Sequence, residues 1–385
     1  MTDKLVFQSS HIEDTKGRKN LVPENNLPKR LISLDAFRGF TIISMLMVNN
    51  PGYDSAFPRQ FRHAPWGEMV TFCDMIFPWF LFIVGVAIPF SASSFHKKYP
   101  GFFPYFKKAL KRTILLIFFG ILIDSSIQKR IAIGMDVLQL IGLAFFCGAM
   151  CYELTRRWRI IVAVLLLVIH WALIRFMPIP GVGAGFFEPQ KNIISYINQH
   201  LAPYHLAGIL SVIPTTSLVL IGTFFGDLFR DQNVKPLKKL VTLFITGAIL
   251  TLLGILWNYD LPFSKAVWTA SYILFSAGLG CIVLGIFYYI IDIMDYKKWA
   301  FPFVVYGMNA ITAYFISIMV RVHTVQEWYT TTASGEKITL WRAMLNFWTN
   351  LAGINFGSYL FTGSYIFFWF LVLWWMYRKQ LFLRV

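Results

Sequence analysis

Charge is scarce in this sequence. Asp, Glu, Lys and Arg make up 14% of its 385 residues, against roughly 25% in a soluble globular domain. Acid is scarcer still, with 19 Asp and Glu against 35 Lys and Arg. Cysteine is rare too. Cys73, Cys147, Cys151 and Cys281 fall inside or at the edge of apolar runs, and none has metal-ligand spacing with a histidine. Cys147 and Cys151 lie one helical turn apart. Buried thiols are therefore expected, with no structural disulfide, no zinc and no other metal. No G-x-S-x-G, H-E-x-x-H or Walker sequence occurs, which leaves hydrolase, zincin and nucleotidase chemistry without support. The polar start, "MTDKLVFQSSHIEDTKGRKN", has no apolar core segment. No cleaved signal peptide is expected, and the first apolar segment serves as an uncleaved anchor. The sequence has no convincing internal repeat, which argues against transporter folds built on inverted repeats.

Apolar sequence is what remains. Hydrophobic residues make up 57% of the chain and aromatics 18%. Several runs reach or approach the roughly 20 residues that cross a bilayer as a helix. A β-barrel would show short alternating segments instead. The pattern predicts an all-α polytopic membrane protein, a single bundle of about ten transmembrane helices. The expected spans are 32–50, 72–92, 110–126, 136–153, 159–176, 207–228, 239–257, 267–291, 300–320 and 360–377. The net charge of +16 is read by its placement. Segments 1–30, 96–113, 153–159, 228–240, 293–298 and 378–385 are rich in Lys and Arg, and the segments alternating with them are poor. That alternation puts both termini in the cytoplasm, in an inner membrane, with loop 51–71 facing outward. No nucleic-acid partner is expected. In the outer segment 321–358, "ITLWRAMLNFWTNLAG" reads as an amphipathic surface helix.

Polar groups inside such spans are costly and stand out. Asp35 and Arg38 in "SLDAFRGF" share a helix face. They form a local ion pair or offer Arg38 to an anionic ligand, and both readings stay open. The loop sequence "FRHAPW" places His63 after the end of the first span, marked by Asn49, Asn50 and Pro51. Asp74 follows eleven residues later at the start of the second span. It would either favour the helix start or hold one imidazole nitrogen and leave the other as a base. An amide from Asn49, the His63 imidazole and the Asp74 carboxylate then suit deprotonation of a nucleophile and stabilisation of an oxyanion. Arg38, Arg112 and Lys111 suit phosphate oxygens, although Lys111 and Arg112 also fit the positive-inside pattern alone.

These residues carry a resemblance. "RLISLDAFRGFTIISMLMVNNPG" and "HAPWGEMVTFCDMIFPWFLFIVGVAIPFS" resemble the start of the heparan-α-glucosaminide N-acetyltransferase family. The similarity continues through "KRTILLIFFGILI", "GMDVLQLIGLAFF", "PGVGAGFFEPQKNIISYI", "GILSVIPTTSLVLIGTFFGD", "LPFSKAVWTASYILFSAGL" and "FVVYGMNAITAY". It implies a transmembrane acyltransferase domain over 31–380 behind a polar cytoplasmic tail, 1–30. The activity implied is transfer of acetyl from cytoplasmic acetyl-CoA, a co-substrate, to an amino sugar or glycan on the far side. It implies His63 as the active-site histidine and Asn49 as its neighbour, with Asp74 beside them. On this reading Arg38, Arg112, Asp35, Gln139 and Asn309 meet the donor. Asn50, Trp66, Asn192, His205 and Trp268 meet the saccharide acceptor. Membrane lipid is a further partner, and a homodimer is compatible.

The chain departs from the family pattern at four positions. Leu140 stands where relatives often have arginine, His205 and Ala207 where they have carboxylates, and Asn198 where they have aspartate. Fewer outer carboxylates predict weaker selection for a free amine. Two rival classes remain: a sugar or amino-sugar permease, and a non-catalytic subunit of a glycan-processing system. Binding of acetyl-CoA separates the enzyme from the permease.

Overall fold

A helix needs its first free N–H groups satisfied, and the second long helix begins where the sequence supplies this. Thr71 and Asp74 form a capping box, each side chain accepting from the other's backbone, before the run Phe72–Lys98 (α2). The preceding helix, Ile32–Asn49 (α1), stops at Asn50, where Pro51 prevents continuation. The computed structural model describes residues 31–201, 208–332 and 334–383. Beyond α1 and α2 the described chain forms Phe102–Gln128 (α3), Val137–Tyr152 (α4), Arg156–Phe176 (α5) and the short Ile193–Tyr196 (α6). Val212–Arg230 (α7), Pro236–Asn258 (α8) and Ala270–Tyr288 (α9) follow. Phe301–Met308 (α10), Ala310–Val320 (α11) and Leu340–Arg378 (α12) complete the helices. A small antiparallel hairpin, Tyr329–Thr331 (β1) with Lys337–Thr339 (β2), precedes α12.

Burial sorts the helices into an inner and an outer set. The apolar window of α2 is 72% buried, whereas those of α5 and α8 are 28% and 22% buried. On α8, Leu237, Val241, Ile245, Ile249, Leu252 and Leu256 are all exposed. Their spacing of three and four residues makes one apolar stripe, the face a helix turns to lipid. Inside, glycine permits close approach of backbones. A Cβ on Gly85 of α2 would lie 2.1 Å from the Val219 carbonyl oxygen of α7. A Cβ on Gly307 of α10 would lie 1.9 Å from the Asp35 carbonyl oxygen of α1.

The expected count of ten spans is met only in part. Nine of them overlap a single α-helix among the described residues and 300–320 overlaps two, and seven helices are long and apolar enough to cross a membrane, or up to eight with a bent pair counted as one. The reasons are local. α3 carries Lys107, Lys108, Lys111, Arg112 and Asp124 in its length, and α4 has only 16 residues. The run 300–320 is broken at Asn309, where the two pieces bend by 68°. The surface helix expected in 321–358 and the last span share α12, whose 39 residues are kinked at Gly353 with φ 77°. Only glycine adopts that conformation readily.

Candidate active site

The capping box that starts α2 also builds the site. Asp74 Oδ2 accepts from the Thr71 and Ala64 backbone N–H groups, each at 3.1 Å. That leaves Oδ1 for His63, whose Nδ1 lies 2.7 Å away. The Asp74 side chain is 3% exposed and that of His63 is 59% exposed. A buried, anchored carboxylate thus orients an accessible imidazole. With the carboxylate ionised, Nδ1 carries the hydrogen and Nε2 keeps its lone pair. Cys73 Sγ lies against the ring, 3.3 Å from Nδ1 and 3.7 Å from Nε2.

His63 lines a cavity of about 740 Å³. α1 contributes Met45 and Asn49, and the chain entering α4 contributes Met135 and Asp136. Tyr314 of α11, Arg321, Glu68 and Trp66 complete much of the wall. The segment between α8 and α9 adds Lys265 and Trp268. Trp268 has φ 53°. It packs on Phe77 with ring centroids 5.2 Å apart, and the reversal at this point brings Lys265 back over α2. Lys265 Nζ lies 3.2 Å from His63 Nδ1 and 3.8 Å from Asp74 Oδ1. Burial pulls the Lys265 pKa below its ordinary value, and Asp74 opposes that pull.

A second cavity, of about 560 Å³, abuts the first. Met45, Val137 and Tyr314 line both. The second carries Arg38, Lys108, Lys111 and Arg112, and no carboxylate stands among its lining residues. Arg38 is paired with Asp35 at 3.1 Å. Arg112 lies over the Phe145 ring, 4.3 Å from its centroid. Asn49 is eleven residues beyond Arg38 on α1, about 16 Å at 1.5 Å per residue. One helix therefore links the two chambers.

The structure brings some expected site residues together and separates others. His63, Asn49, Asp74, Trp66 and Trp268 line the first cavity, and Arg38, Arg112 and Lys111 line the second. Asn50 lines neither. Its amide donates to the Leu46 carbonyl at 2.7 Å and accepts from Arg321 at 2.7 Å. Gln139 is buried between α3 and α4, donating to Asp124 at 2.6 Å. Asn192 caps α6 by accepting from Ser195 N–H at 2.8 Å. Asn309 is buried at the helix break with no partner for its amide among the described residues. Its neighbours Gly307, Met308, Ala310 and Ile311 line the second cavity. His205 and Ala207 lie outside the described residues. Asn198 accepts from the Gly208 N–H at 2.8 Å, and Leu140 lines the first cavity.

Sequence reasoning missed Lys265, Asp136, Tyr314 and Arg321. Lys265 had one available signal, as the lone cation of the segment between α8 and α9. Its partners lie about two hundred positions away in sequence.

A model described as heparan-alpha-glucosaminide N-acetyltransferase, catalytic, matches residues 30–256. The chain belongs to this family. It is similar to the human heparan-alpha-glucosaminide N-acetyltransferase, with 25% identity over 353 residues, covering 75% of this chain and 52% of the human protein. The mouse protein of the same name is 24% identical over 351 residues, with 74% and 53% covered. The chain spans about half the length of these curated relatives. The family match includes His63, Asp74, Arg38 and Arg112, and it ends before Lys265, Asn309 and Arg321.

Proposed function

We propose that the chain is a membrane-embedded acetyltransferase. Acetyl-CoA is held from the cytoplasmic side in the cavity of Arg38, Lys111 and Arg112. An amino sugar or other glycan enters the cavity of His63 from the far side. One observation carries this reading: a buried Asp74 holds an accessible imidazole at 2.7 Å in a chamber that shares its wall with a basic one. The activity in the family's name, N-acetyl transfer to a glucosaminide, supports the same reaction class.

The geometry supports the following chemistry. Arginine and lysine side chains meet the CoA phosphates, and the arm bearing the thioester reaches past Met45 and Tyr314. His63 Nε2 removes a proton from the acceptor nitrogen or hydroxyl as that atom attacks the acetyl carbonyl. The Asn49 amide donates to the developing oxyanion. The C–S bond breaks, and the CoA thiolate takes the proton from the imidazolium. A two-step route through an acetyl-imidazole uses the same free Nε2. Glu68 and Asp136 line the acceptor chamber. Glu68 is paired with Arg59, so Asp136 is the acid that offsets there part of what the departures at Asn198, His205 and Ala207 remove, and this favours an amine acceptor.

The sidedness has its own test. Ser55 and Asn233 are both exposed in loops assigned to opposite sides by the Lys/Arg pattern. A cysteine at position 55 reacts with an impermeant thiol reagent in intact cells above the parent background, and one at 233 does not. The reverse pattern overturns the orientation. For the activity, purified protein receives labelled acetyl-CoA with glucosamine, N-acetylglucosamine or a neutral hexose. Acetyl-CoA-dependent labelling of glucosamine is expected. Failure to bind acetyl-CoA, with no labelled sugar, overturns the enzyme in favour of a permease.

A further inference from the structure

Asp74 creates a problem for a base. A carboxylate 2.7 Å from Nδ1 attracts positive charge onto the ring. A general base must be neutral before the step it catalyses. The site contains a compensating charge that the family match does not reach. Lys265 Nζ sits 3.2 Å from the same ring nitrogen and 3.8 Å from the same carboxylate oxygen.

Nδ1 has at most one hydrogen. It cannot donate to Asp74 and accept from Lys265 at once. The shorter contact, to the carboxylate, takes the hydrogen. The ammonium then pairs with Asp74 and acts on the ring through space. We infer that Lys265 is a positioning residue that keeps the His63 imidazole neutral while Asp74 holds it in place. Cys73 and Asp74 of α2 also face the ring or its carboxylate. Glu68, Asp136, Tyr314 and Arg321 line the same chamber. Tyr272 of α9 donates its hydroxyl to the Asp74 carbonyl. Among these groups Lys265 is the cation in reach of Nδ1. Arg321 is occupied by the Asn49 carbonyl at 2.9 Å and the Asn50 amide oxygen. The seat of Lys265 is built. Ser264 donates its backbone N–H to Thr269 Oγ1 at 3.1 Å, and Thr269 returns its N–H to the Ser264 carbonyl at 3.2 Å. This closes the turn between Lys265 and Trp268.

The value of a neutral imidazole rests on the acyl-transfer reading, so the test reads the ring without turnover. Diethyl pyrocarbonate modifies neutral imidazole. Its extent at His63 is measured by mass spectrometry of the peptide between about pH 5 and 9. Lys265→Met moves the midpoint up by about one unit or more, because a cation that disfavoured the imidazolium is gone. Lys265→Arg leaves the midpoint where it was. Lys265→Gln, with a hydrogen-bonding side chain of similar reach, repeats the measurement if the methionine variant unfolds. In turnover, the acid limb of kcat/KM moves up by the same amount, and activity returns at higher pH. An unmoved midpoint in a folded Lys265→Met or Lys265→Gln protein overturns the inference. A uniform loss of activity at every pH, as a structural role would give, also overturns it. A moved midpoint in a protein that never transfers acetyl would instead sink the acyl-transfer reading and leave Lys265's effect standing.

Discussion

The two chambers share three wall residues yet differ in how they hold charge. The His63 chamber mixes signs: Glu68, Asp74 and Asp136 are set against Lys265 and Arg321. Lys265 is paired with Asp74, and Arg321 donates to the Asn49 carbonyl and the Asn50 amide oxygen at the end of α1. Among the described residues the other chamber is lined by four cations and no acid. There Arg112 rests on Phe145, and Lys108 rests 4.5 Å from the centroid of Phe95. An aromatic face attracts a cation without consuming the in-plane N–H donors of an arginine. Arg38 is paired with Asp35, and the surplus of like charge beside that pair favours a ligand that brings its own negative charge. The comparison teaches a division of labour. On the proposed function, one chamber serves proton movement at the acceptor and the other takes a polyanion.

The largest effect should come from the balanced chamber. His63→Ala removes, among the described residues, the one side chain there with an imidazole nitrogen aligned by a carboxylate. Loss of a general base typically costs roughly 10²–10⁴-fold in rate. We expect kcat to fall by that order while acetyl-CoA binding, measured by calorimetry, stays at the wild-type level. Unchanged turnover would erase the proposed division.

The second prediction targets the polyanion chamber. Hydrogen bonds to charged groups contribute about 1.5–3 kcal/mol, so Arg112→Ala should raise the KM for acetyl-CoA by roughly 10- to 100-fold. At saturating donor, kcat should stay near wild type, because His63 and Asp74 are untouched. Salt should weaken donor binding less in the variant than in the parent. A fall in kcat with KM unchanged would place Arg112 in the chemistry and break the comparison.

A third, smaller effect lies in the wall between α1 and α10. Gly307 lines the basic chamber, and its Cβ would meet the Asp35 carbonyl oxygen at 1.9 Å. Overpacking of this kind costs about 1–3 kcal/mol. Gly307→Ala should lower the thermal midpoint and, by pushing α10 from α1, weaken acetyl-CoA binding more than acceptor binding. Equal losses for both ligands would show that the two chambers do not respond separately.

Local signals were legible and distant ones were not. The run of Thr71 to Asp74 carries its own capping chemistry, and Asp74 satisfies both readings left open for it. Oδ2 caps the helix and Oδ1 holds the imidazole. Asn49 and Asn50 are adjacent, so they were read together. A helix turns about 100° per residue, and this puts one into the cavity and the other into the protein. Lys265 approaches His63 only through folding of the chain between them, which no spacing rule anticipates. Gln139 and Asn192 are polar residues beside apolar runs, a pattern shared by ligand contacts and structural hydrogen bonds. In the structure their partners are Asp124 and Ser195. The break at Asn309 interrupts an apolar run without a proline at the break, so the sequence pattern extended the helix through it.

The smallest effect sharpens the edge of the balanced chamber. Asn192 was expected to meet the acceptor, yet it is fully buried and lines neither cavity. Its oxygen accepts from Ser195 N–H and its nitrogen donates to the Glu188 carbonyl, both at 2.8 Å. Loss of an N-cap side chain costs about 1 kcal/mol. Asn192→Ala should therefore lower stability slightly in a denaturant titration and leave the KM for the acceptor within error of wild type. Asn192→Asp keeps the accepting oxygen but sets a charged oxygen against the Glu188 carbonyl in a buried site, so it should not recover the stability. If the alanine variant instead raised the acceptor KM several-fold with its stability intact, the acceptor chamber would have to reach as far as α6. The boundary drawn here around His63, Asp74 and Lys265 would then be too small.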